Sequence, residues 1–283
     1  MRYELYALIA AFSFGLNAVM IKRGMKESTP VTATLVIAFV QVAILSVLAF
    51  LYRPEFNWTA VLYFIVAGVG TAIFGRTLNY ISIDKIGVPI TSSLTGTNPL
   101  FTIIIANIFL GEHVSITTII SSLLVASGIV LMSGWGAKVK IDPRNLLLPL
   151  GSAFFYAVSG IVRKAGLNIL PEPFLGAVVG AATSLVAYPL ILKLMGRSGE
   201  LKFTKSSLRW FIGGGVATTL AWVGMFTATQ LGSISVVSAI IGANPLFGLI
   251  LSLLMLRDVE KITMQVAAGS LLIVIAMIVI TLF

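Results

Sequence analysis

The chain has 283 residues, 58% hydrophobic and only 10% charged, with mean hydropathy +1.04 and formal net charge +9. Soluble domains carry about 25% charged residues, so this composition excludes an ordinary soluble globule and makes a lipid bilayer the solvent. The positive charge does not point to nucleic acid: the basic residues gather in short segments between apolar runs, with no basic stripe or tail, and so serve to anchor and orient membrane segments.

The chain has no cysteine, which excludes disulfides, thiolate metal sites and cysteine nucleophiles, and the single His113 cannot build an imidazole cluster. No metal, cofactor or catalytic site is therefore expected.

A spanning helix needs about 20 mostly apolar residues. Ten segments qualify: 4–21, 31–52, 58–80, 87–109, 115–134, 146–163, 173–194, 208–230, 233–256 and 262–282. The predicted fold is an all-α integral membrane protein with little chain left for any extramembrane domain. The first run is read as a span rather than a cleavable signal, because Lys22 and Arg23 flank it and no small-residue cleavage site precedes a polar domain. Ser13 and Asn17 share one face of this helix, and Lys22 closes it.

In the third segment Arg76 follows eighteen residues of "WTAVLYFIVAGVGTAIFG", and Asn79 and Tyr80 stand at i+3 and i+4 on the same helical face. The three can present hydrogen bonds to a carboxylate or phosphate in a cavity; alternatively Arg76 snorkels to the interface. The fourth segment contains "ITSSLTGTNPLF". Here Thr91, Thr95 and Asn98 at i, i+4 and i+7 form a polar stripe with Ser92 beside it, facing a cavity or bonding back to the helix. Pro99 removes an intrahelical donor and is expected to kink the helix at mid-depth, a bend that either hinges or shapes a cavity. The sixth segment brings Tyr156 and is closed by Lys164, the eighth brings Trp222, and the ninth carries Asn244 and Pro245.

The two halves repeat. "TGTNPLFTIIIANIFL" at 95–110 and "IGANPLFGLILSLLML" at 241–256 align at an offset of 146, which pairs Pro99 with Pro245, Asn98 with Asn244, Glu112 with Asp258 and Arg76 with Trp222. "IKRG" at 21–24 matches "RKAG" at 163–166 at an offset of 142, which pairs Lys22 with Lys164. These two lysines either anchor the helix ends or face a shared anion. Thr91 and Thr95 oppose Val237 and Ile241, so any cavity lining is expected to be polar on one side. Five spans per half is odd, so the second half enters the membrane from the opposite side. The result is ten helices in two inverted five-helix repeats, 1–134 and 146–283 with a 135–145 linker, around a central cavity, a recurring plan of secondary transporters.

Each repeat ends in a "P-L-F" helix, an acidic turn ("LGEHVS", then "LRDVEK") and a last apolar helix. In this the chain resembles the EamA-type members of the drug/metabolite transporter superfamily. Arg257-Asp258 stands where that pattern has Gly-Glu. The resemblance implies two inverted five-helix units around a central cavity, export of amino acids or other metabolites, or carriage of phosphorylated compounds, and cytoplasmic termini.

All ten acidic residues fall at segment ends or in loops, so no mid-span carboxylate is present to carry protons, and facilitated diffusion or exchange is the expected mode. An intramembrane enzyme is disfavoured on the same ground. The expected protein is a multi-pass transporter of the cell membrane, moving a small polar or amphipathic metabolite by alternating access. Carriage of anionic metabolites by exchange, or a channel, are the alternatives. An even span count puts both termini on one side. Arg2, Arg53, Arg163 and Lys164 fall on that side and the other fifteen Lys and Arg on the opposite one, so charge places the termini outside.

Overall fold

The computed structural model describes residues 2–52, 54–98, 100–102, 104–105, 120, 123–124, 127–128, 131, 142–194, 196, 198–232, 234–242, 244–258 and 263–282. The described chain is helical, with no strand among these residues. In order the helices are α1 (Arg2–Gly24), α2 (Pro30–Tyr52), α3 (Trp58–Val69), a π-helical segment (Gly70–Arg76), α4 (Thr77–Ile86), α5 (Val88–Thr95), α6 (Pro143–Ile169), α7 (Pro173–Leu194), α8 (Lys205–Leu231), α9 (Ile234–Ile241), α10 (Asn244–Met255) and α11 (Met264–Leu282). Six uninterrupted helical runs among the described residues are long and apolar enough to cross a membrane: α1, α2, the run 58–86, α6, α7 and α8. Most of the fourth segment beyond 102 and of the fifth, with Glu112 and His113, lies outside the described residues.

Local chemistry sets the helix ends. Asn57 caps α3 by accepting from the Ala60 amide at 3.1 Å, and Asp142 caps α6 by accepting from the Arg144 amide at 3.0 Å. Pro143 opens α6, where a missing N–H costs nothing. Thr204 and Ser207 form a reciprocal capping box at α8. Gly87 reverses the chain between α4 and α5 at φ +81°, a conformation that a Cβ disfavours.

Two runs continue well past their sequence-predicted C-terminal limits. The third segment continues to Ile86, because nothing breaks the helix before Gly87. The sixth continues to Ile169, because the dibasic Arg163-Lys164 does not end a helix, whereas Leu170-Pro171 does. Arg163 therefore lies six residues inside α6 rather than at its end.

Helix pairing crosses between the halves. α1 packs along α8 and α2, in turn, on both α7 and α8; in matching fashion α6 packs along α3, the π segment and α4, and α7 on α3. α5 lies against α6 as α9 lies against α1. Small residues permit the close approach. Gly176 and Gly180 on α7 sit beneath Phe226 and Trp222 of α8, so close that an added Cβ would lie 2.7 and 3.0 Å from those rings.

One end of the bundle is stitched between the halves. Ser28 Oγ donates to the Lys202 carbonyl at 2.6 Å, Thr29 Oγ1 to the Glu200 carbonyl at 2.8 Å and Thr204 Oγ1 to Glu27 at 3.3 Å. Asp258 accepts from Arg23 at 2.5 Å and Lys26 at 2.8 Å. The bonds from Lys26 and Arg23 hold the Asp258 carboxyl below its ordinary 3.8, at about 2. The folded value is the depressed one, so this contribution to stability is present above about pH 4 and fades as pH falls toward 2. Thermal unfolding of wild type and Asp258→Asn is expected to differ at pH 6, in favour of wild type, and to converge near pH 2 and in high salt. A difference that persists at pH 2 would contradict the assignment. The effect is small because the pair is exposed.

Candidate functional site

A central cavity of about 110 Å³ opens where both halves meet, lined from α1, the π segment, α4, α5, α6, α8, α9 and the first residue of α10. The π segment is one source of its shape. Its wide turn leaves the Gly75 carbonyl to accept Ser152 Oγ of α6 at 2.8 Å, and the Tyr156 ring packs against Gly75. Arg76 closes the segment and α4 follows directly, so Arg76, Asn79 and Tyr80 face the cavity together.

Arg76 is only 3% exposed. Its Nη2 donates to Gln41 Oε1 at 2.5 Å, its guanidinium lies 5.3 Å from the Trp222 ring centre, and Nη1 has no hydrogen-bond partner among the described residues. Arg76 and Trp222 are the residues paired by the 146 offset, so equivalent positions of the two halves touch at the cavity. A desolvated cation over an indole gains about 2 kcal/mol. Burying a charge costs several, so the ring holds the guanidinium in place without neutralising it.

The other polar residues form a connected wall. Asn79 Nδ2 donates to Thr95 Oγ1 at 2.9 Å, and Thr95 Oγ1 donates back to the Thr91 carbonyl at 2.8 Å. Asn17 Nδ2 donates to the Tyr80 hydroxyl at 3.4 Å, leaving Asn17 Oδ1 buried without a partner. Ser92, Asn98, Asn244, Tyr156 and Trp222 also line the space. Val237 and Ile241, the repeat partners of Thr91 and Thr95, line the same space with hydrocarbon.

Four cavity candidates are placed elsewhere. Thr91 turns from the cavity, and its hydroxyl pairs with Ser82 at 2.8 Å, since α4 packs behind α5. Ser13 is buried off the lining. Lys22 donates to the Ile83 and Asp84 carbonyls at 2.9 and 3.0 Å, and Lys164 to the Thr229 and Gly232 carbonyls at 2.8 and 3.1 Å. Ile83 and Thr229 are themselves paired by the 146 offset. The equivalent lysines thus satisfy equivalent helix C-termini, where open carbonyls and the helix dipole favour a cation, and neither lines the cavity.

The interruption of the fourth and ninth segments also differs from a proline kink. α5 ends at Thr95 and α9 at Ile241, and helix resumes at Asn98 and Asn244, so both breaks fall at equivalent Gly96 and Gly242. The breaks touch: a Cβ on Gly96 would lie 2.9 Å from the Gly242 carbonyl and 2.8 Å from the Pro245 ring. Pro245 occupies the first turn of α10, where it forces no bend. Pro99 lies outside the described residues. Local bonds satisfy the first break, with the Gly96 amide on the Ser92 carbonyl at 2.8 Å and Thr97 Oγ1 on the Leu94 carbonyl at 2.6 Å.

Two residues escaped the sequence reading. Arg163 is 7% exposed, lines the cavity, lies 5.0 Å from the Phe226 ring centre and has a buried Nε without a partner. Following the apolar run past Arg163 to Pro171 would have placed it within the helix. Gln41, fully buried in mid-α2, was marked only by its being an amide in an apolar run. No Asp or Glu lines the cavity among the described residues, and these hold no cluster of metal-ligating side chains.

The model of the EamA-like transporter family matches residues 1–134 and 144–282. A relative from Archaeoglobus fulgidus, described as an uncharacterized transporter, is 22% identical over 274 residues, spanning 96% of this chain and 95% of its own. A solved crystal structure, 14% identical, superposes on 100% of this chain and 96% of its own with TM-score 0.73, a likeness of fold.

Proposed function

This chain belongs to the EamA-like transporter family, within the drug/metabolite transporter superfamily, and is a membrane transporter; from that premise we propose that it moves a small organic metabolite by alternating access. The observation that carries the proposal is the cavity shared by both halves, with repeat-equivalent residues in contact at Arg76–Trp222 and Gly96–Gly242. A site at the junction of two pseudo-equivalent bundles is exposed to either side by rocking one against the other. The crossed helix pairing favours two inverted five-helix units and ten spans in the cell membrane. Amino acids or related polar and amphipathic compounds, exported, fit the family. Hydrogen-bonding and hydrocarbon side chains in one lining suit such a molecule. With Arg76 and Arg163 moved from the interface to the cavity, the remaining Lys and Arg still gather opposite the termini, which favours termini outside.

Counterflow in proteoliposomes tests the proposal. Vesicles preloaded with unlabelled substrate should transiently concentrate the labelled compound, with saturable initial rates. Flux that is unsaturable and indifferent to substrate on the far side would make the protein a channel.

A further inference from the structure

Resting on the central cavity as the transport site, we infer that its substrate is a small organic oxyanion, a carboxylate or phosphate on an apolar body, gripped between Arg76 and Arg163.

Two buried guanidiniums line one cavity, and neither meets a carboxylate among the described residues. Each lies against an aromatic face instead, Arg76 on Trp222 and Arg163 on Phe226, and those rings are 5.8 Å apart on consecutive turns of α8. Among the described residues the polar side chain bonded to Arg76 is the neutral Gln41. Each guanidinium keeps one buried nitrogen without a partner among the described residues, Nη1 of Arg76 and Nε of Arg163. Guanidinium donors are laid out to match the oxygens of carboxylate and phosphate. Two positive charges with no protein counter-charge among the described lining residues are balanced by an anionic ligand, while an ammonium group there meets repulsion.

The cations come from different halves, Arg76 from the 58–86 run and Arg163 from α6, and neither recurs at its repeat position, where Trp222 and Ile21 stand. An anion held by both therefore bridges the halves at a site the repeat does not duplicate. The rest of the wall fixes the body of the ligand: Met225, Val237 and Ile241 offer hydrocarbon, and Asn17 Oδ1 an unpartnered acceptor for a hydroxyl.

Four probes on one branched five- or six-carbon body separate the chemistries: 4-methyl-2-oxopentanoate, isopentyl phosphate, leucine and isopentylamine. Calorimetry on the purified full-length protein should show one or both anions binding at least about 10-fold tighter than leucine, with isopentylamine weakest. Which anion wins distinguishes a carboxylate from a phosphate substrate. Arg163→Gln should weaken the preferred anion roughly 30-fold or more, as removal of one partner of a buried charged pair does, and Arg163→Lys should restore part of it. Arg76→Gln should do likewise, and Arg163 carries the test alone if that variant does not fold. Tighter binding of leucine or the amine, no binding of either anion, or an unchanged affinity in folded Arg163→Gln would each overturn the inference. If leucine is carried by counterflow, the transporter stands and the anion site falls. If the anions bind but are not carried, the anion site stands and the transport proposal falls.

Discussion

Trp222→Ala is expected to destabilise the protein by about 3–5 kcal/mol, the usual cost of emptying a buried aromatic site. Three neighbours lose their contact at once. Trp222 is buried against Gly180, it packs on Phe226 at 5.8 Å between ring centres, and it carries the Arg76 guanidinium at 5.3 Å. Gly180 has no side chain to fill the space, and Arg76 loses the ring that fixes its charge in a dry setting. Thermal denaturation in detergent should show a fall of several degrees or more for Trp222→Ala and a much smaller one for Trp222→Phe, which keeps an aromatic face. Equal melting temperatures for wild type and Trp222→Ala would remove Trp222 from the centre of the packing.

Joining Ser28 to Lys202 through introduced cysteines should abolish transport. The Ser28 hydroxyl already meets the Lys202 carbonyl at 2.6 Å, and Thr29, Glu27, Arg23 and Lys26 hold the same end of the first half to Glu200, Thr204 and Asp258 of the second. If the halves rock, this end must part during each cycle. The chain has no native cysteine, so a short bifunctional thiol reagent acts only on the engineered pair. Flux should fall to background with a cleavable crosslinker and return on reduction. Undiminished flux through the crosslinked protein would show that this end does not open.

Much of this architecture is legible in the residues because it obeys simple periodic rules. Apolar runs of spanning length locate the helices, and the "NPLF" repeat marks equivalent interruptions, which fall at Gly96 and Gly242, three residues before the prolines. Arg76, Asn79 and Tyr80 share a face by helical spacing alone, and the π segment leaves that spacing intact because it ends at Arg76. What escaped depended on partners distant in sequence. Thr91 and Thr95 belong to one stripe, yet Thr91 is claimed by Ser82 across the α4–α5 turn and only Thr95 reaches the cavity. Lys22 and Lys164 look like interfacial anchors until the carbonyls of Ile83 and Thr229 come beside them. Arg163 was hidden by its neighbour Lys164, since a basic pair after an apolar run reads as a membrane boundary. Burial of one and helix capping by the other give the two adjacent cations separate tasks. Proline drew attention away from glycine: the breaks fall where Gly96 and Gly242 let the two backbones approach.

The asymmetry within the repeat matters most for function. Departures from the sequence repeat, Arg76 against Trp222, Arg163 against Ile21 and Thr95 against Ile241, bring charge and polarity to a shared space. The central claim is that this space is open to one side of the membrane at a time. Ser92 lines it, and cysteine replaces serine there with little change of shape. In Ser92→Cys, a membrane-impermeant thiol reagent should label the cavity from either side of oriented vesicles, with substrate lowering the rate from both, while crosslinking residues 28 and 202 should block labelling from the stitched side alone. Labelling from one side only under all conditions, or from both sides despite the crosslink, would contradict alternating access through this cavity.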